Sequence, residues 1–242
     1  MKFNVVIPAR FASTRLPGKA LLKIKGKPIV QYVYENACDS GAEKVIIATD
    51  DQRIADCAQA FNAEVCLTSK QHQSGTDRIA EVVNSCRWSD DIVIVNVQGD
   101  EPMMAAENMR QVAENLHRHS AASMSTLCTN IIDKKEYQNN NVVKVIRDEN
   151  GFAQSFSRTA KSIGHDDYNN LNAYRHLGIY AYRVGFLNLF TKLPQSALEK
   201  QESLEQLRIH GRDEKIYVDV CNTPAGIGVD TQEDYEMLLE IM

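Results

Sequence analysis

A cationic loop follows the first apolar run of the chain, Phe3 to Ile7. The charged and hydroxyl-bearing residues of this loop are Arg10, Ser13, Thr14, Arg15 and Lys19. Guanidinium groups match phosphate oxygens with paired hydrogen bonds, and a lysine ammonium acts as a mobile point charge. A core strand that ends in such a loop, shaped by prolines and a glycine, predicts a polyphosphate site. The alternative is a basic surface loop.

A second chemically distinctive segment, Gln98 to Pro102, follows the apolar run Ile92–Val97. Ligands of open parallel sheets bind outside the carboxyl ends of the strands, so we expect Asp100 to face the cationic loop. A carboxylate repels a triphosphate unless a cation lies between them. Mg²⁺ is a hard cation that accepts one or two carboxylates together with phosphate oxygens. The segment therefore predicts a Mg²⁺ site, with a turn-capping aspartate as the alternative.

Two further polar segments precede predicted helices. Asp230 lies at the end of Gly226–Thr231, where an Asp-Thr pair is more typical of a helix N-cap than of a metal site. The loop His72–Arg78 has backbone N–H groups that suit a ribose or a base edge, but a capped helix start fits equally well. No segment completes the GxGxxG or GxxxxGK pattern, so the chain lacks the Rossmann dinucleotide and Walker signatures.

Strand-like and helix-like segments alternate in the first half of the chain. The strand-like runs are Phe3–Ile7, Lys44–Ala48, Glu64–Leu67 and Ile92–Val97. The segments with helical apolar spacing are Pro28–Ser40, Asp51–Phe61, Thr76–Val83 and Ala105–His117. Buried apolar strands that alternate with amphipathic helices indicate a parallel sheet covered on both faces. We therefore predict a three-layer α/β/α fold with a mostly parallel, Rossmann-like sheet.

From about residue 123 the pattern becomes richer in strands. The predicted strands are Ser123–Leu127, Val142–Ile146, Phe152–Phe156, His176–Tyr182 and Ile216–Cys221. The predicted helices are Val184–Leu193, Ala197–Arg208 and Thr231–Ile241, and the turn residues Glu149–Gly151 fit a hairpin. We expect one domain over residues 1–242, with a nucleotide-binding part (1–122), a mixed, strand-rich lobe (123–190) and a closing segment (191–242).

Composition excludes several classes of protein. A net charge of −5 over 242 residues argues against nucleic-acid binding, which normally requires a basic excess. No stretch approaches the roughly 20 apolar residues of a membrane span, and the N-terminal run is too short for a signal peptide. The six cysteines are scattered without a CxxC pair, which is typical of reduced thiols. We therefore expect a cytoplasmic protein that binds neither nucleic acid nor membrane.

The N-terminal sequence IPARFASTRLPGK (7–19) resembles the signature of the CMP-KDO synthetases, the cytidylyltransferases that activate 3-deoxy-manno-octulosonate (KDO). The resemblance continues in order along nearly the whole chain. It covers HQSGTDR (72–78), NVQGDEP (96–102), FSR (156–158), RHLGIYAYR (175–183), LEQLR (204–208) and GVDT (228–231). Each motif alone would be weak evidence, whereas the set is highly specific.

The resemblance implies an activity and a set of site residues. The anomeric hydroxyl of KDO would attack the α-phosphorus of CTP, giving CMP-KDO and pyrophosphate for lipopolysaccharide biosynthesis. Arg10, Arg15 and Lys19 would be catalytic, and Asp100 and Asp230 would hold Mg²⁺. The nucleotide-binding residues would be Pro8, Ala9, Arg10, Ser13, Arg15, Lys19, Ser74, Gly75, Arg78 and Gln98. The acid sugar would contact Arg158, His176, Tyr180, Glu205 and Gln206. The family also implies a homodimer, formed through the strand-rich half.

One departure from the family pattern concerns the sugar. After Arg158 the family continues into a short Ile-Pro segment, but Thr159–Asp167 contains no proline. A variant acid sugar such as 8-amino-KDO is therefore an alternative substrate. Two rival functions are a nucleotidyltransferase for a sialic-type acid or a sugar phosphate, and a non-catalytic nucleotide-binding module. The two candidate metal carboxylates argue against the non-catalytic module, because binding alone does not require them.

Overall fold

The structure is a computed structural model that describes residues 1–13, 15–160 and 173–242. Every predicted strand and helix of the first half is present, with small changes at the ends. In chain order they are β1 (Phe3–Pro8), a 3₁₀ helix (Lys19–Leu21), β2 (Lys23–Ile24), β3 (Lys27–Pro28), α1 (Ile29–Asp39), β4 (Lys44–Thr49), α2 (Gln52–Ala60), β5 (Glu64–Leu67), α3 (Gly75–Ser85), β6 (Val93–Asn96) and α4 (Ala106–Arg118). The small β2–β3 hairpin and the 3₁₀ helix were not predicted.

The second half is rich in strands, as expected. Its elements are β7 (Met124–Asn130), α5 (Lys134–Gln138), β8 (Lys144–Arg147), β9 (Ala153–Ser157), β10 (Ala173–Arg183), α6 (Val184–Phe190), α7 (Ala197–Glu202), a 3₁₀ helix (Glu205–Ile209), β11 (Ile216–Val220) and α8 (Gln232–Ile241). Helix α5 was not predicted. The hairpin predicted at Glu149–Gly151 is confirmed, because β8 and β9 pair antiparallel across it.

Nine strands of the described residues form one sheet, in the order β11-β7-β10-β6-β1-β4-β5, with β8 joined to β10 and β9 to β8. Strands β1, β4, β5 and β6 of this sheet are parallel to one another. Strand β10 runs antiparallel to both β6 and β7, and therefore joins the parallel part to the mixed part. The predicted combination of a parallel sheet in the first half and mixed strand pairing in the second half is confirmed.

Helices cover both faces of the sheet. On β1, Val5 and Ile7 pack into one apolar cluster, whereas Val6 packs into another on the opposite face. Helices α1, α2 and α4 contribute to the first cluster, and α3 and α6 contribute to the second. This arrangement explains why the strands are continuous apolar runs rather than alternating ones. No helix among the described residues combines the length and apolar character needed to cross a membrane.

The prediction of one helix over Ala197–Arg208 was wrong. Helix α7 ends at Glu202, and Ser203 adopts a left-handed conformation with φ 53° and ψ 47°. A left-handed residue turns the chain out of the helix axis. The 3₁₀ helix that follows then packs Leu204 and Leu207 into the second apolar cluster. After this turn the carboxylate of Glu205 accepts a hydrogen bond from the hydroxyl of Thr76 on the first turn of α3.

The closing segment returns to the first loop of the chain. The hydroxyl of Tyr235 in α8 donates a hydrogen bond of 2.7 Å to the carbonyl of Lys23. Val229 and Leu238 pack with Ile24 in a third apolar cluster. The Val229 N–H also donates to the carbonyl of Asp100 at 2.8 Å. These contacts carry Asp230 to the edge of the sheet where β1 and β6 end.

Candidate active site

Three segments converge at the carboxyl edge of the parallel strands. The N–H of Gly99 donates to the carbonyl of Pro8 at 3.2 Å, which joins the segment after β6 to the loop after β1. A Cβ atom on Gly99 would lie 3.0 Å from Cβ of Ala9 and 3.1 Å from the carbonyl oxygen of Pro8, so any larger residue would push these two segments apart. At the start of α3, a Cβ atom on Gly75 would lie 3.4 Å from the Pro8 ring and 3.8 Å from Oε1 of Gln98. Four predicted nucleotide-binding residues, Pro8, Ala9, Gly75 and Gln98, therefore form one surface.

The cationic loop is a compact turn built around Phe11. The carbonyl of Phe11 accepts the N–H groups of Ser13 and Gly18, each at 2.9 Å. Gly18 has φ +71°, a left-handed conformation, and a Cβ atom there would lie 2.9 Å from the Phe11 ring. The Arg53 guanidinium lies over this ring, 3.3 Å from its centroid. The loop is thereby held in place while Arg10 is exposed to solvent. Residue 14 lies outside the described residues.

Lys19 connects the two predicted metal ligands. Its ammonium pairs with the carboxylate of Asp100 and lies 2.8 Å from Oδ1 of Asp230. Arg15 contacts the other oxygen of Asp230 at 2.9 Å. Burial acts to lower the pKa of Lys19, but the charges of Asp100 and Asp230 outweigh burial and raise it. Burial acts to raise the pKa of Asp230, and Lys19 and Arg15 reverse that effect and lower it. Lys19 and Asp230 are therefore both charged near neutral pH.

Asp230 does not cap α8. The N-cap is Thr231, whose hydroxyl accepts the N–H of Asp234 at 3.2 Å, and the Asp234 side chain accepts the Thr231 N–H in return. This reciprocal capping box satisfies the start of the helix. The carboxylate of Asp230 is consequently available for Arg15 and Lys19. The capping alternative for Asp230 is thus not what the structure shows.

The site fits a hard divalent cation. Carboxylate oxygens of Asp100 and Asp230 both approach one nitrogen atom, Nζ of Lys19, so they already converge on a positive charge. Within residues 1–13, 15–160 and 173–242, no group of three or more His, Cys, Asp or Glu side chains could hold a metal. Two carboxylates that leave other positions to phosphate oxygens and water match the preference of Mg²⁺.

A third acidic group near this pair, Glu101, was missed by the sequence analysis. Burial, with the negative charges of Asp100 and Asp230, raises the pKa of Glu101 to about 8. A Cβ atom on Gly228 would lie 2.6 Å from a carboxyl oxygen of Glu101, so a side chain at position 228 would displace the Glu101 carboxyl group. The one sequence feature that could have pointed to Glu101 is Gly228 in the GVDT motif. A glycine alone does not reveal which side chain lies next to it.

The start of α3 reaches from the nucleotide end toward the sugar end. Ser74 is the N-cap, and its hydroxyl accepts the N–H of Asp77 at 3.1 Å. Arg78 is buried, donates to Thr68, and pairs with Asp50 at 2.9 Å. The guanidinium of Arg78 therefore ties α3 to Asp50, which follows β4, and to Thr68, which follows β5. A direct contact between Arg78 and the nucleotide stays a prediction. The start of α3 also offers free backbone N–H groups to an anion.

His176 lies in an enclosed part of the sugar end. The ring of Phe156 meets it edge-on at 5.2 Å between centroids, and Tyr180 lies at 5.3 Å. The Thr126 hydroxyl contacts Nε2 of His176 at 3.1 Å and donates to the carbonyl of Ile179 at 2.6 Å. A hydroxyl has one hydrogen, so Nε2 of His176 must be the donor in their contact. Burial lowers the pKa of His176 to about 3, so the ring is neutral near pH 7.

Two buried polar atoms point to a ligand at this end. Within the described part of the chain, the hydroxyl of Tyr180 and the side-chain nitrogen of Gln206 have no hydrogen-bond partner. Buried polar groups without partners are unusual and call for an explanation such as a bound ligand. Gln206 also lines a cavity of about 250 Å³ together with Phe156. Tyr180 does not line this cavity, and contacts of Tyr180 and Gln206 with a sugar stay predictions.

Glu205 links the two ends of the site. Its carboxylate accepts the hydroxyl of Thr76 at 2.6 Å, on the first turn of α3. Burial raises the pKa of Glu205, although hydrogen bonds from Thr76 and Ser74 oppose the shift. Arg158, the remaining predicted sugar ligand, follows β9 and donates from Nε to the carbonyl of Glu202 at 3.0 Å. The departure from the family pattern, Thr159–Asp167, lies largely outside the described residues, which end at 160 before resuming at 173.

Comparison with known proteins decides the family. The cytidylyltransferase family model matches residues 4–216. The chain belongs to the cytidylyltransferase family. It is 51% identical to the 3-deoxy-manno-octulosonate cytidylyltransferase of Photobacterium profundum, over 98% of this chain and 97% of that protein. The Haemophilus influenzae enzyme of the same name is 46% identical, over 100% of this chain and 99% of that protein.

A solved structure supports the same conclusion for this cytidylyltransferase. A CMP:2-keto-3-deoxy-manno-octonic acid synthetase complexed with CTP superposes with a TM-score of 0.91 at 38% identity, over 100% of this chain and 98% of that chain. The predicted fold and the predicted family are therefore confirmed. The individual residue roles stay predictions.

Proposed function

We propose that this enzyme transfers CMP from CTP to 3-deoxy-manno-octulosonate, releasing pyrophosphate and forming CMP-KDO. The observation that carries the proposal is the meeting of Arg15 and Lys19 with Asp100 and Asp230 where β1 and β6 end. Full-length relatives of about half-identical sequence bear the name of this activity. The product would enter lipopolysaccharide biosynthesis.

The cationic loop would bind the triphosphate and counter its charge. Arg10 and Arg15 are exposed and can turn their guanidinium groups toward phosphate oxygens. Lys19 is more enclosed, with 12% of its side chain exposed, so its charge acts in a less screened environment. Negative charge grows on the leaving pyrophosphate as the bond to the α-phosphorus breaks. A fixed ammonium near that charge stabilises the transition state more than the bound substrate.

Asp100 and Asp230 would hold Mg²⁺ in this enzyme. The ion, when bound, would supply positive charge that offsets the charge of the phosphate oxygens. The two carboxylates would otherwise repel the triphosphate. In the structure Lys19 and Arg15 neutralise both carboxylates, which keeps the acidic pair stable without added cations.

The sugar end would orient the acid sugar toward the α-phosphorus. Arg158 supplies a positive charge for the sugar carboxylate. The neutral ring of His176, the Tyr180 hydroxyl and the amide of Gln206 supply hydrogen-bonding groups for hydroxyls. Glu205 can accept from a sugar hydroxyl while it remains tied to Thr76 at the start of α3. Correct mutual orientation of two bound substrates is worth a large part of the rate of such a reaction.

The proposal is tested with a matrix of substrates. The enzyme is incubated with Mg²⁺, each of CTP, UTP, ATP and GTP, and each of KDO, 8-amino-KDO and a sialic acid. Pyrophosphate release and the mass of the sugar nucleotide are measured. We expect CMP-KDO to form fastest. Comparable turnover with UTP or ATP would contradict the CTP assignment, and faster turnover of 8-amino-KDO would favour the alternative sugar.

Two further parts of the proposal concern the state of the protein. All six cysteines are free thiols, which fits a reducing compartment such as the cytoplasm.

We expect a homodimer formed through residues 123–190, where Ile132 is 79% exposed. Light scattering after size exclusion measures the mass. An Ile132→Lys variant with the same mass as the wild type would place the dimer contact elsewhere.

A further inference from the structure

Glu202 at the end of α7 joins this helix to the end of β9 and to Arg158, which follows β9. Its carboxylate accepts the hydroxyl of Ser157 at 3.1 Å through Oε1 and the N–H of Arg158 at 2.9 Å through Oε2. Its main-chain carbonyl accepts Nε of Arg158 at 3.0 Å. One residue therefore holds both the backbone and the guanidinium of Arg158.

The helix itself gives no reason for an acidic residue at position 202. It is the last residue of the helix, where the helix dipole disfavours a negative side chain. The left-handed Ser203 follows, and the 3₁₀ helix starts at Glu205. Only two residues thus separate Glu202 from Glu205. Because this connection is so short, a contact between Arg158 and Glu202 also limits the distance between Arg158 and Glu205.

A buried lysine, Lys144, holds Arg158 at its other peptide group. Nζ of Lys144 donates to the carbonyl of Arg158 at 2.7 Å and to the carbonyl of Asn139 at 2.6 Å. Burial, together with the charge of Arg158, lowers the pKa of Lys144. Arg158 is therefore fixed at its N–H by Glu202 and at its carbonyl by Lys144.

We propose that Glu202 is a positioning residue for the acid sugar: it orients Arg158 so that the guanidinium can bind the sugar carboxylate opposite Glu205 and Gln206. The inference rests on the proposed function, because it assigns the anion bound by Arg158 to the sugar. With Nε engaged by Glu202, the two terminal nitrogens of Arg158 form the fork that matches a carboxylate.

Steady-state kinetics of Glu202→Ala and Glu202→Gln test the proposal, with the exposed neighbour Gln201→Ala as the matched control. Glu202→Ala removes the carboxylate that accepts from Ser157 and from the N–H of Arg158, whereas the main-chain carbonyl that accepts from Nε of Arg158 remains. We expect the released Arg158 main chain to raise the KM for KDO by about 10- to 100-fold, the loss typical of a misplaced binding group. The KM for CTP should stay within about 2-fold of the wild-type value, since ground-state nucleotide binding is untouched. Glu202→Gln keeps one acceptor oxygen and should lie between Glu202→Ala and the wild type. Gln201→Ala should match the wild type.

A double-mutant cycle with Arg158→Ala shows whether Glu202 acts through Arg158. We expect the double variant to bind KDO no more weakly than Arg158→Ala alone. Additive losses would overturn the proposal, as would parallel rises in both KM values with a lower melting temperature. If Glu202→Ala does not fold, Glu202→Gln decides: an unchanged KM for KDO overturns the proposal. A wild-type enzyme that does not turn over KDO refutes the proposed function instead.

Discussion

Replacing Lys19 with Met removes the charge between Asp100 and Asp230 while keeping most of the apolar stem. The side chains are 12% exposed for Lys19, 25% for Asp100 and 53% for Asp230. Loss of one partner costs about 3–5 kcal/mol for a fully buried pair. An exposed pair is worth about 0–1 kcal/mol, because water screens it. The partial exposure of this group places the expected cost between these limits, at about 2 kcal/mol.

The assay is thermal unfolding with EDTA and with Mg²⁺. For a chain of this size about 1 kcal/mol shifts the melting temperature by about 2–4 °C, so we expect Lys19→Met to lower it by about 4–8 °C in EDTA. Mg²⁺ should stabilise the variant more than the wild type, because its two carboxylates are no longer occupied by the ammonium. Lys192→Met, which replaces an exposed lysine, is the control and should behave as the wild type.

Turnover provides the second measurement on Lys19→Met. If the ammonium stabilises charge that develops on the leaving pyrophosphate, kcat should fall by about 100- to 1,000-fold, with a smaller change in the KM for CTP. Lys19→Arg should restore only part of the rate, because a planar fork does not replace a compact charge. A near-normal kcat in Lys19→Met would refute the catalytic role. An unchanged melting temperature in EDTA would refute the electrostatic argument.

Three other predictions concern single residues. Asp230→Ala should lose most turnover, measured by pyrophosphate release. It should lose at most about 1 kcal/mol of stability, measured by unfolding, because the Asp230 side chain is half exposed and Thr231 caps the helix. Large destabilisation with retained turnover would contradict this prediction. Burial lowers the pKa of His176 in the folded protein to about 3, so between about pH 3 and pH 6.5 the ring binds a proton mainly in the unfolded state. Acid should therefore destabilise the wild type relative to His176→Gln by up to about 1.4 kcal/mol per pH unit, and parallel pH curves in urea unfolding would show that the ring is not shielded. Lys144→Met should lower stability by about 2–4 kcal/mol in the same assay, because two buried carbonyls lose their donor; a loss below about 0.5 kcal/mol, the usual range for surface substitutions, would contradict the role of the buried ammonium.

Local sequence patterns were sufficient where one physical rule dominated. Continuous apolar runs such as Lys44–Thr49 are strands buried on both faces, and the structure confirms them as the parallel centre of the sheet. The same patterns failed at Ala197–Arg208, where helical spacing continues through Ser203. A serine gives no strong local signal for a left-handed turn, and the packing of Leu204 and Leu207 determines the break.

The sequence by itself determined the order of the strands and helices, the cationic loop and, through its motifs, the family. These features depend on residues close together in the chain or on motifs read in order. Only the tertiary structure decided that Asp230 meets Lys19 rather than capping α8, because residues 211 positions apart become neighbours only when the closing segment folds back. It also decided that Glu101, which is half-buried, lies beside this pair and that Glu202 holds Arg158. Such contacts depend on how α7, α8 and the sheet pack, and no short-range pattern encodes that packing.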